Sequence, residues 1–488
     1  MVVDIQSGKV HSVSAMNAVI PKIIQGGMGT GVSNWRLAQA VSRIGQLGVV
    51  SGTGLDVILA RRLQDGDPEG HVRRALNNFP FPKMVQRILD TYFIPGGKGA
   101  ASAYRLTGMH TVEGARGPQE MCIAANFVEV FLAKEGHSNP VGINYLEKIQ
   151  LPHLPSIYGA MLAGVGVVIM GAGIPLEVPG VLDVLVNHES ACYPVRVTGD
   201  GPSDNRRMVF NPAEFQEGSL KALSRPDFLP IVSSDTLATM LIRRANGSIQ
   251  GFIIEGPLAG GHNAPPRGKL KLSDIGEPVY GVRDAVDLKA FRELNYPFWL
   301  AGSYGSHERL LSALAEGAAG IQVGTAFALC HESGLTTEIR QALVQQALEG
   351  NARIFTDPQA SPTGFPFKVA HLEGTLSDPS IYQQRQRLCD LGFLREIYRK
   401  DDGTLGYRCP AEPIASFVAK GGKIEDTYNR KCLCNSLVTN IGYTQRLRNG
   451  NLELPMVTLG DDYVNIGQFC QNGQQDFSAA DVIRVILG

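Results

Sequence analysis

Apolar runs of strand length recur along the chain, separated by amphipathic stretches. They fall at residues 20–28, 47–53, 140–146, 165–172, 228–234, 251–257, 297–303 and 320–327. Their continuous apolar character marks strands buried on both faces, as in a parallel sheet covered by helices. The amphipathic stretches are clearest at 34–46, 235–246 and 307–316, each opening on a residue able to cap or begin a helix. About eight strands in strand-helix alternation predict an α/β fold, economically a closed TIM (β/α)₈ barrel. An open Rossmann sheet is the structural competitor, because Gly26-Gly27-Met28-Gly29-Thr30-Gly31 follows the first strand where a phosphate loop would stand. No Gly-x-Gly-x-x-Gly can be read there: after Gly27 and Gly29 the third position is Val32, so Asp56 loses its reading as a ribose ligand.

Two interruptions enlarge the barrel, which is assigned to residues 1–330. Residues 57–139 lie between the second and third strands and are too long for a simple crossover, which points to a lid or an oligomer contact. A shorter insertion at 263–282, carrying Pro265, Pro266, Arg267, Gly268 and Lys269, is placed as a wall of the active site. Beyond residue 331 the alternation fades, and 335–348, 379–400 and 478–487 read as helices separated by turn-rich segments. Residues 331–488 are therefore expected to form a mostly helical elaboration packed on the barrel. The stretch 149–176 contains no Asp, Glu, Lys or Arg, but its prolines and glycines break it into a short helix and a buried strand instead of a membrane span.

Composition narrows the partners. With 44% hydrophobic and 19% charged residues the chain is ordinary for a globular protein, and a net charge of -1 gives no footprint for nucleic acid or an anionic membrane. The first residues lack the basic flank and apolar core of a signal peptide, which points to the cytoplasm. The 8 cysteines are scattered, so no disulfide framework is expected. Cys432 and Cys434 form a Cys-x-Cys pair that no second pair or nearby histidine completes; the cysteines read as structural, and no metal site is assigned.

The candidate chemistry lies at strand ends. The sixth run stops at Glu255-Gly256 and is followed by Gly260-Gly261-His262, which puts one imidazole at the C-terminal mouth of a barrel strand. Glycines let backbone approach a planar ligand, and an imidazole of ordinary pKa about 6.5 suits proton transfer near neutrality. Gly27 and Met28 offer a close backbone surface and a polarizable thioether after the first strand, while the amide of Asn144 can donate and accept, as a heteroaromatic edge requires. Gly302-Ser303 and Gln322-Val323-Gly324-Thr325 follow the last two strands, where barrels commonly bind phosphate through backbone N–H groups.

Taken together, Gln25 to Met28, Val141 to Asn144, Glu255 to His262, Ala301 to Ser303 and Gln322 to Phe327 resemble, in order and spacing, the nitronate monooxygenase (2-nitropropane dioxygenase) family. Asp357 to Lys368 and Cys432 to Asn435 resemble its long bacterial branch. The resemblance implies a TIM barrel binding FMN, with Gly27 and Met28 bordering the isoalloxazine and Asn144 and Gln322 at its polar edge. It implies that Gly302, Ser303, Gly324 and Thr325 hold the phosphate, that Gly260 and Gly261 belong to the cofactor-binding turn, and that His262 is the catalytic base. Two departures bear on substrate. Pro257-Leu258-Ala259 intervenes before Gly260, and Gln-Gly-Gly-Met resembles the first motif of related FMN-dependent enoyl reductases. The leading expectation is oxidation of alkyl nitronates by dioxygen to a carbonyl compound and nitrite. The alternatives are an enoyl-thioester reductase using NAD(P)H and a flavin-binding subunit of a biosynthetic assembly. A second copy of the chain or a biosynthetic protein is the expected macromolecular partner.

Overall fold

The computed structural model describes residues 2, 3, 10, 11, 20–201, 204–447, 449–470 and 474–488. The signal-peptide reading rests on the first residues, which lie outside this set apart from 2 and 3. Eight parallel strands form the barrel: β1 Ile23–Gln25, β2 Gly48–Ser51, β3 Val141–Leu146, β4 Val167–Gly171, β5 Asp227–Val232, β6 Phe252–Glu255, β7 Phe298–Ala301 and β8 Gly320–Val323. Every strand expected from the apolar runs is present and shorter than its run, and in all but β3 the run continues into the loop at the C-terminal mouth.

β8 pairs in parallel with β1 through Ile321 and Ile23, and a parallel bridge between Ile24 and Leu47 joins β1 to β2. The ring is therefore closed, which excludes the open Rossmann sheet. Gln25 reinforces the seam with its side chain: buried completely, its Oε1 accepts from the N–H of Val49 at 3.0 Å. Residues alternate between two apolar layers. Ile24, Val49, Val167, Ile169, Leu229, Ile253 and Trp299 fill the interior, whereas Val168, Met170, Phe228, Phe252 and Ile321 face the helices.

The expected helices are found with their caps. Asn34, Ser234 and Ser306 accept from N–H groups in the first turns of Trp35–Arg43, Asp235–Arg244 and His307–Ala315. The 149–176 stretch is helix His153–Leu162 followed by β4, and among the described residues no helix is long and apolar enough to cross a membrane. The C-terminal helix Ala479–Leu487 packs against His307–Ala315 and Trp35–Arg43, standing outside the β8/β1 seam. The end of the chain thus completes the outer ring of helices.

The 57–139 segment spans helices Leu55–Gln64, His71–Leu76, Pro82–Tyr92 and Arg116–Lys134, and the last of these covers the barrel between β2 and β3. Beyond β8, helices predominate, with Thr337–Leu348 and Ala479–Leu487 close to expectation. The helix expected over 379–400 is corrected: it ends at Gln384, and Glu396–Arg399 is a strand paired with Leu405–Arg408. Gly392 takes a left-handed φ of 71° that ends any helical run, and Ile397 and Tyr398 favour extended backbone. A second hairpin pairs Ile354–Asp357 with Phe367–Ala370.

Candidate active site

One cavity of about 200 Å³ opens at the C-terminal mouth of the barrel. Gly27, Met28, Asn144, Gly260, Gly261, His262, Gly302, Ser303, Gln322, Gly324 and Thr325 all line it. The barrel brings them together from β1, β3, β6, β7 and β8, because the strand ends converge on one rim.

The floor is made by the first motif and its neighbours. A Cβ on Gly27 would stand 2.4 Å from the Asn144 Cβ, so only glycine permits this approach. Asn144 Nδ2 donates to the Gly27 carbonyl at 3.2 Å, while its Oδ1 is buried without a partner. Gln322 Oε1 is also buried and without a partner. Two unsatisfied amide oxygens lining one cavity are costly when nothing meets them, at about 1–3 kcal/mol each. They fit a planar heteroaromatic ligand that donates hydrogen bonds along one edge.

On the β7 side, Gly302 and Ser303 both have positive φ, at 97° and 58°. Consecutive residues of this kind belong to the tight backbone turns that can gather N–H groups toward an anion. On the neighbouring β8 side, the Thr325 hydroxyl accepts from the N–H of Gly460 at 2.9 Å, and Thr325 also hydrogen-bonds Asp462. Burial raises the Asp462 carboxyl above its ordinary range, opposed by the Thr325 bond.

His262 faces the cavity from a turn clamped on two sides. Gly261 donates to Thr458 Oγ1 at 2.8 Å, Lys368 donates its N–H to the Gly261 carbonyl at 3.0 Å, and Asn263 donates its N–H to the Pro366 carbonyl at 2.9 Å. The imidazole Nε2 lies 2.7 Å from Ser361 Oγ, and the ring stands edge-on to Phe367 with centroids 4.9 Å apart. Burial, helped by the charge of Lys148, lowers its pKa to about 4. The ring is thus neutral across the physiological range.

The expected lid and the expected wall are both corrected. Neither the 57–139 segment nor residues 263–282 line the cavity; Ser361 touches His262, and Phe367, Phe393, Leu433, Leu437 and Leu459 form the roof. Asn263 instead locks the turn by donating to the carbonyls of Pro257 and Ala259. The residues missed by sequence reasoning are Ser361, Asp462 and Glu255. Ser361 and Asp462 carried no signal, since only tertiary contact brings them to the site. Glu255 was visible as a strand end; burial raises its carboxyl to about 8.

Residues 195–357 match the model of the nitronate monooxygenase family. Over this segment, from before β5 to the first strand beyond β8, the chain is similar to that family. The match includes His262, Gly302, Ser303, Gln322, Gly324 and Thr325. A probable nitronate monooxygenase from Bacillus subtilis (strain 168) is 29% identical over 140 residues, which are 29% of this chain and 38% of that protein. The alignment therefore spans well under half of that relative's length. Among solved structures, FabK from Thermotoga maritima aligns over 98% of this chain and 96% of its own at 16% identity and a TM-score of 0.45. A nitroalkane oxidase from Streptomyces ansochromogenes aligns over 97% and 96% at 14% identity and a TM-score of 0.45.

Proposed function

We propose that this chain is an oxidoreductase of the nitronate monooxygenase kind, which binds FMN across the barrel mouth and oxidises alkyl nitronates with dioxygen, giving a carbonyl compound and nitrite. The observation that carries the reading is the pair of unpartnered oxygens on Asn144 and Gln322, set in the same cavity as a neutral His262. When bound, FMN would supply the redox chemistry, taking electrons from the organic substrate. Asn144 and Gln322 would accept from the edge of its ring. Gly27 and Met28 would lie under the ring, and Gly302, Ser303, Gly324 and Thr325 would hold its phosphate.

His262 does the proton work in this reading. Its lone pair is free at neutral pH, so it can take the α-proton of a neutral nitroalkane at whichever ring nitrogen faces the cavity. A pKa near 4 makes it a weak base, however, and the driving force for that transfer is small. A pre-formed nitronate needs no such step. The balance favours nitronates over nitroalkanes as substrates. Phe367, Phe393 and Leu459 line the cavity above the site and would limit water there.

The apolar roof supports a second reading, an enoyl-thioester reductase using NAD(P)H, because Leu433, Leu437 and Phe393 would suit an acyl chain. A visible spectrum of the purified protein, followed by anaerobic titration, separates the two. Bleaching by nitronate, with nitrite formed in air, is expected. Bleaching by NADPH and recovery on adding an enoyl thioester would move the assignment to the reductase. A colourless protein that refuses FMN would end both.

A further inference from the structure

Asp56, His110 and Cys122 form a buried group that the proposed chemistry does not use. Asp56 opens helix Leu55–Gln64, Cys122 lies within helix Arg116–Lys134, and His110 comes from the loop joining this region. Their exposures are 2%, 7% and 2%. His110 Nε2 lies 3.0 Å from Asp56 Oδ2 and 3.6 Å from Cys122 Sγ, and the three atoms are all within 4.8 Å of one another. A ring nitrogen carries at most one hydrogen. With the thiol ionised, Nε2–H can serve the carboxylate or the thiolate but not both, so the two anions compete for one donor.

A cation between the three resolves this conflict. Carboxylate oxygen, imidazole nitrogen and thiolate sulfur form the donor set of a borderline-soft metal such as zinc, with bonds of about 2.0–2.3 Å. Tetrahedral angles with those bonds place neighbouring nitrogen and oxygen about 3.4 Å apart, and nitrogen and sulfur about 3.6 Å apart. The observed nitrogen–sulfur separation of 3.6 Å matches its edge, and the nitrogen–oxygen separation of 3.0 Å, a hydrogen bond without the ion, opens by a few tenths of an ångström on binding. Two anionic ligands and a divalent ion are together neutral, which removes much of the cost of burying either charge alone. A void of about 10 Å³ on the side of the group away from His110 is bordered by Asp56, Cys122 and Ser156. This is about the space of a single water, the usual fourth ligand of an open site.

We propose that Asp56, His110 and Cys122 bind one divalent cation of the zinc class, with water as the fourth ligand. The ion ties the loop carrying His110 to both helices. The void also touches Thr53, Leu146, Ile149 and Phe393, which line the main cavity as well, so the ion stands behind one wall of the candidate active site. The His110 carbonyl is held by Arg395 Nη2 at 2.7 Å, and the Cys122 carbonyl accepts from Asn126 Nδ2 at 2.9 Å. These contacts fix the ligand-bearing backbone independently of the ion.

The test uses the full-length protein as purified, freed of metal by a chelator and titrated with Co²⁺. A thiolate-to-cobalt charge-transfer band in the difference spectrum should saturate at one equivalent per chain and be displaced by Zn²⁺. Cys122→Ser should abolish the band, while Cys432→Ser, in the separate cluster of Cys389, Cys409, Cys432 and Cys434, should leave it intact. Should Cys122→Ser fail to fold, melting curves decide the matter: Zn²⁺ should raise the melting temperature of the wild type and not that of His110→Asn. Absence of both the band and the Zn²⁺-dependent shift in the wild type overturns the proposal, as does a band that survives Cys122→Ser.

Discussion

His262 Nε2 and Ser361 Oγ are 2.7 Å apart, although 99 residues separate them in the chain. The contact joins the barrel's sixth strand end to the elaboration beyond the eighth. Ser361 Oγ is held in turn by Thr363, through Oγ1 at 2.8 Å and N–H at 3.2 Å, so the hydroxyl is fixed and sets the imidazole's orientation. Ser361→Ala should cut turnover of a neutral nitroalkane by about tenfold, on the order of 1.4 kcal/mol in barrier, with flavin content unchanged. Steady-state kinetics on flavin-matched samples check this; an unaltered rate would refute the orienting role.

The pKa of His262 sets a second expectation. Because the folded value lies near 4, the base is competent down to that pH, and the acidic limb of the kcat/KM profile should fall near 4 instead of near 6.5. His262→Asn should lower turnover of neutral nitroalkane by about 10² to 10⁴ while sparing a pre-formed nitronate. An equal loss with both substrates would show that His262 does something other than take the α-proton.

Gly27 tests the floor of the cavity. An added methyl group at 2.4 Å from the Asn144 Cβ forces that side chain or the backbone to move, at a cost of about 1–3 kcal/mol. Gly27→Ala should therefore weaken FMN binding by at least about tenfold, as measured by fluorescence quenching on reconstitution. Wild-type affinity would mean that the isoalloxazine does not lie against this backbone.

Glu255 gives a prediction for pH and stability. Its folded pKa, raised by burial to about 8, exceeds the unfolded value of about 4.3, so the folded state retains a proton the unfolded state has lost. Stability from this group is full below about 4 and declines as pH rises to about 8, then levels off. Glu255→Gln mimics the protonated form. Its melting temperature relative to wild type should rise steadily from pH 5 to about pH 8; a constant difference would show that the carboxyl is already ionised.

Asp462 places a carboxyl beside the hydroxyl of Thr325, where the cofactor's phosphate is expected. Burial favours its protonated form, and ionisation would repel a phosphate dianion. FMN affinity should fall as pH rises for the wild type, and Asp462→Asn should flatten that dependence. Equilibrium dialysis at several pH values measures both; parallel curves would place the phosphate elsewhere.

The barrel and its rim could be read from the sequence because both are local signals repeated in order. Apolar runs buried on two faces specify parallel strands, and a run ending in Gly-Gly-His or Gly-Ser announces a strand end whatever surrounds it. That is why Gly27, Asn144, His262, Gly302 and Gln322 could be placed on one rim without coordinates. The lid was misplaced for the converse reason: length alone singled out 57–139, whereas what covers the mouth depends on where the last third of the chain docks.

Long-range partners left no periodic trace. Cys122 lies 12 residues from His110, and Asp56 lies 54 residues from it, with no motif spacing to connect them. Ser361 and Asp462 are single polar residues in turn-rich segments. Periodicity and strand-end chemistry were thus enough to determine a closed barrel with its ring of candidate residues, since each depends on neighbours a few positions away. The roof over the cavity, the hydroxyl that orients His262 and the buried Asp-His-Cys group were decided only by tertiary packing, because each joins segments that are distant in sequence and meet only once the barrel has closed.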